Sequence, residues 1–141
     1  MIDRSRPNAA AVVATSAIAA GGMLAHNVLD LGPAFLVDPQ TLIPLMIFAV
    51  LAILAARATA RRSTWLALLA WGLLNLVAGG ILSVLPTGLF PFQSEQTLEH
   101  YGAHALYALS SVPLVIVAWS GYRASRSRSS GGDAPDPSGV R

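Results

Sequence analysis

Residues 65–85 read WLALLAWGLLNLVAGGILSVL, from Trp65 to Leu85, without one charged side chain. A run of about 20 apolar residues matches the length of a helix that crosses a hydrocarbon core of roughly 30 Å. Read at helical spacing, Gly72, Asn75, Gly79 and Ser83 fall on one stripe of small and polar residues. Helices in lipid associate through such stripes, because close backbone approach and interhelical hydrogen bonds replace the hydrophobic drive available in water.

Three further apolar runs flank this one: Ala9 to Leu29, Leu42 to Ala56 and Tyr101 to Tyr122. Lipid offers nothing to unpaired backbone groups, and four segments are too few to close a barrel, so all four are expected to be helices. The chain is expected to be all-α, a polytopic integral membrane protein built as a four-helix transmembrane bundle. The spans are placed at about residues 9–30, 41–58, 64–85 and 100–122, within a transmembrane domain at 9–122. Residues 1–8 form a short N-terminal segment. Residues 123–141, rich in Ser, Gly, Pro and Arg, are expected to be a disordered basic tail. The connection Pro86 to Glu99, with Leu89, Phe90 and Phe92, is expected to lie in the interface or fold back on the helices.

Composition agrees. The chain has 141 residues, of which 54% are hydrophobic and 11% charged, and its mean hydropathy is +0.58. Typical soluble domains carry about 25% charged residues, so a soluble enzyme and a disordered chain are both disfavoured. There is no cysteine, which removes disulfides, thiolate metal sites and cysteine nucleophiles. The pI of about 9.7 does not signal nucleic acid, because the basic residues flank apolar runs instead of covering one face.

All nine basic residues are arginine. They precede the first run (Arg4, Arg6), separate the second from the third (Arg57, Arg61, Arg62) and follow the fourth (Arg123, Arg126, Arg128, Arg141). The two remaining connections hold Asp30, Asp38, Glu95 and Glu99. The positive-inside rule therefore predicts both termini and the middle connection in the cytoplasm. A bacterial cytoplasmic membrane is the expected location. The first run also resembles a signal peptide, with Ala17-Ile18-Ala19 as a cleavage site, but it continues to Leu29, which favours a retained span.

Other spans carry their own stripes: Thr15, Ala19, Gly22 and His26 in the first, His100, His104, Tyr107 and Ser111 in the fourth. Spans one, three and four are expected to face each other, and span two, which has no comparable stripe between Leu45 and Ala56, to be the most lipid-exposed. Pro113 is expected to kink the fourth span unless neighbours satisfy the freed carbonyl.

His26, His100 and His104 all fall near the outer face, with Asp30 one turn from His26 and Glu99 beside His100. Ionisable groups at membrane depth are costly and point to function. Three readings stand. The rings fix helix packing through hydrogen bonds to groups such as Asn75, Tyr107 or Asp30. They bind a transition-metal ion through His26, His100 and His104, or a haem between His26 and His104, with Met23 and Met46 as soft donors in the same half. Or they handle protons or a small molecule at the outer surface. No P-loop, dinucleotide fingerprint, nucleophile elbow or H-E-x-x-H motif is present. The expected role is thus that of a non-enzymatic membrane component acting through helix–helix association, with metal or haem binding as the alternative. Its partners are the bilayer and itself or another membrane protein, and not nucleic acid.

Overall fold

A computed structural model of the chain describes residues 6–57, 59–85 and 97–129. Among these the structure is helical, with no strand. Four helices are long and apolar enough to cross a membrane. α1 is Ala9–Leu31, α2 is Pro39–Ala56, α3 is Arg62–Leu73, and α4 is Leu98–Ser129. α3 runs on through a wide π-helical segment, Leu74–Gly79, and a short 3-10 turn, Leu82–Val84. A second 3-10 turn, Gly32–Val37, joins α1 to α2.

Local chemistry sets the ends. The Asn8 side chain accepts from the Ala11 amide at 2.7 Å and caps α1. Asp38 caps α2 the same way through the Gln40 amide at 2.7 Å, with Pro39 in the first helical position, where its missing N–H costs nothing. Pro44 deprives the Gln40 carbonyl of its helical donor. Asn27 of α1 supplies one instead, its amide nitrogen lying 3.3 Å from that carbonyl and 2.8 Å from the Thr41 hydroxyl. α4 passes through Pro113 as one helix.

The helices are arranged as a closed square in chain order, with α1 and α4 sharing the broadest seam and α2 and α3 the narrowest. Neighbours run antiparallel. Along α3 and α4, Trp65 meets Gly121, Gly72 meets Leu114 and Val115, and Gly79 meets Tyr107; along α1 and α4, Gly22 meets Ser110. Val12, Ala19, Met23, Phe48, Trp65, Leu68, Leu114 and Ala118 fill the interior. Large apolar side chains also point outward, including Ile18, Ile53, Leu66, Leu109 and Ile116, as expected where the surrounding medium is lipid.

Several expectations change. α1 and α3 are diagonal members of the square and share no broad seam; α4 is the common partner of both stripes. α2 is the least buried of the four, as expected, but it does have a packing face, built from Thr41, Phe48, Ala52 and Ala55. Phe48 meets Trp71 of α3 edge-on, with ring centroids 5.6 Å apart. Four polar stripe members bond to the preceding turn of their own helical stretch: Thr15 donates to the Ala11 carbonyl, Asn75 to Trp71, Ser83 to Gly79 and Ser111 to Tyr107. Helix α4 continues through Arg123–Ser129, so the first part of the expected disordered tail is helical. Residues 130–141 and 86–96, and with them most of the expected interfacial loop, lie outside the described residues.

Candidate functional site

The antiparallel pairing of α1 with α4 brings the last turns of the first helix against the first turns of the other. Three histidines meet there. Nε2 of His26 lies 3.0 Å from Nε2 of His104, and Nε2 of His104 lies 3.1 Å from Nε2 of His100. The ring centroids of His26 and His100 are 6.1 Å apart. The rings therefore form a bent row that turns through about a right angle at His104, the middle ring. His104 is buried, and His26 and His100 are half-buried. A purely structural role predicts that each ring finds its own carboxylate or carbonyl and that no two rings approach; here they do both.

The opposite ring nitrogens decide what Nε2 can do. Nδ1 of His104 is 2.9 Å from the Gly79 carbonyl, which can only accept, so Nδ1 carries the hydrogen. Nδ1 of His26 is 3.1 Å from Oδ1 of Asn27. Asn27 directs its NH₂ at Gln40 and Thr41, which fixes its oxygen toward His26 and makes that Nδ1 a donor too. Neutral rings in these tautomers present bare lone pairs at Nε2. Two lone pairs facing each other at 3.0 Å call for a positive charge beside them. His100 turns its Nδ1 toward the Asp30 carboxylate at 3.7 Å.

This is the outer-shell pattern of metal-binding imidazoles, in which the second ring nitrogen donates to a carboxylate or carbonyl and orients the first. As the rings stand, no three His, Cys, Asp or Glu side chains among the described residues are arranged to hold a metal ion. The row is open on one side. There His26 and His100 line a pocket of about 140 Å³ together with Asp30, Thr97, Glu99 and Leu29.

The expectation of a haem between His26 and His104 does not fit. Bis-imidazole ligation sets the two nitrogens roughly 4 Å apart on opposite faces of the macrocycle. At 3.0 Å, with the rings edge to face, no porphyrin passes between them. Met46 lies two-thirds exposed and Met23 in the core, and neither is among the pocket residues.

Two supports were not apparent from sequence. The Gly79 carbonyl orients His104 and also accepts from Ser83 at 2.6 Å. Tyr107, one turn below His104, donates to Asn75 across the α3–α4 seam, holding the π-helical segment to α4. The close approach itself was signalled by Gly79 in the small-residue stripe Gly72, Asn75, Gly79 and Ser83. No family model, curated protein or solved structure matches the chain.

Proposed function

We propose that the chain is a multi-pass membrane protein that binds a transition-metal ion at its outer face, without catalysing a reaction of its own. The arginine pattern supports placing both termini and the α2–α3 connection in the cytoplasm, which puts the histidine row at the opposite surface. Imidazole is a good ligand for zinc, copper, iron and nickel. The observation that carries the reading is the row itself: three Nε2 atoms within 3.0 and 3.1 Å of their neighbours, with Nδ1 of His26 and His104 held by acceptors. An ion shared by all three rings would require His26 and His100, which line the pocket, to turn toward it. Asp30 and Glu99 at the mouth favour a cation over an anion.

Metal analysis of the purified full chain, dialysed against copper(II), zinc(II) or nickel(II), tests this. Retention of about one ion per chain is expected, abolished by His104→Ala and weakened by His100→Ala. Asp30→Asn, which leaves the three ligands in place, should weaken binding by about 10–100-fold. Full-length, folded protein that retains no ion would overturn the reading.

A further inference from the structure

We infer that the end of the bundle opposite the histidines carries a binding site for the phosphodiester headgroup of an anionic phospholipid, built where the start of α3 meets the last apolar turns of α4. The site is independent of whether an ion binds the histidines, and rests only on the four helices crossing a bilayer.

Arg62 anchors it. Nη2 of Arg62 donates to the Tyr122 hydroxyl at 2.8 Å, and the guanidinium carbon lies 5.1 Å from the centroid of the same ring. Tyr122 is itself stacked on Trp119, with ring centroids 5.8 Å apart and planes 28° from parallel. One turn further along α3, buried Trp65 lies over Gly121, which fixes the two helices to each other at this depth. An exposed arginine ordinarily samples many rotamers; this one is exposed and yet held at the seam. A guanidinium has five N–H donors in a planar fork. The hydroxyl takes one, and two phosphate oxygens match the geometry of the rest.

The surroundings add charge of one sign. Arg57 ends α2, Arg61 precedes Arg62, and Arg123 follows Tyr122; all four arginines are exposed. Neither residues 57–64 nor residues 100–132 include an acidic side chain, and among the described residues no carboxylate pairs with any of the four. Like charges gathered at one end repel, and an anion among them relieves the repulsion. The start of α3 contributes in the same sense, since its first turn has no acidic residue and the Arg61 side chain does not cap it.

Lipid is the source of the phosphate, because the same patch turns apolar one turn deeper. Leu66, one turn after Arg62, is exposed, as are Trp119 and Ile116 on α4. A headgroup on Arg62 leaves its acyl chains against these side chains, with Trp119 and Tyr122 at the depth where amphipathic rings settle. A free phosphate ion gains nothing from such contacts.

Native mass spectrometry of the full chain, released from nonionic micelles holding equal amounts of phosphatidylglycerol and phosphatidylcholine, tests the site. Preferential retention of phosphatidylglycerol is expected, and inorganic phosphate at the same concentration should not displace it. Arg62→Gln should weaken retention about fivefold, the effect of one arginine near an anionic surface. Arg62→Lys and Tyr122→Phe are the deciding variants. Both conserve charge, so diffuse attraction to a basic surface predicts no change; a built site loses its fork or its anchor, and retention falls about two- to fivefold. Equal retention of both lipids by the unmodified protein, displacement by phosphate, or full retention in the two charge-conserving variants would overturn the inference. The lipid-free unfolding midpoint of each variant separates loss of the site from loss of the fold, and the lipid preference of the unmodified chain depends on no variant.

Discussion

Gly79 serves two purposes at once. Its carbonyl orients His104, and its missing side chain lets α4 approach. A Cβ there would lie 2.8 Å from Cε1 of Tyr107. That ring cannot swing aside freely, because its hydroxyl is bonded to buried Asn75. Gly79→Ala is therefore expected to cost about 1–3 kcal/mol by overpacking. Gly21 provides the contrast, since nothing lies within 4 Å of a Cβ built on it. Gly21→Ala should be neutral or stabilise by up to about 1 kcal/mol through helix propensity. Unfolding midpoints of both variants in the same detergent check the pair; equal loss would show that the α3–α4 seam does not depend on close approach at Gly79.

Helix α2 shows where sequence and structure part. The charge-free runs gave away the four helices, because a span of that length and composition has few alternatives. The packing face of α2 stayed hidden. A stripe can be read only where small or polar residues contrast with large apolar ones, and Phe48, Ala52 and Ala55 sit in a helix that is apolar all round. The π-helical segment was hidden for a different reason: the same residues fit a regular helix, and only the tertiary approach of Tyr107 and Ala108 to Gly79 and Gly80 distinguishes the wide turn. The histidines were legible as a group at one end, but their order was not. That His104 is the middle ring follows from a backbone carbonyl, which has no sequence signature. On α2, Phe48→Ala should destabilise by about 3–5 kcal/mol, since the side chain is buried against Trp71. Ile53→Leu, on the exposed face, should stay within about 0.5 kcal/mol. Denaturant titration in micelles measures both, and a large loss at Ile53 would reverse the assigned faces.

Taken whole, the chain is two helical hairpins, α1 with α2 and α3 with α4, connected through Arg57 and Arg61. Their orientation can be read by single cysteines at exposed positions in a protein that has none of its own. Val37→Cys, in the α1–α2 connection, should react with an impermeant thiol reagent in intact cells; Ser63→Cys, at the start of α3, only after lysis. Both positions are exposed. Labelling from the same side would mean that α2 does not cross the bilayer. The row of rings has a mechanical consequence in this setting. His26 belongs to the first hairpin, His100 and His104 to the second, and the direct α2–α3 contact between the hairpins is slight. An ion held by all three rings would be a rivet through the histidine end of the α1–α4 seam. Chelation would then draw that rivet and leave the two halves joined by van der Waals contact and by the single connection between Arg57 and Arg61.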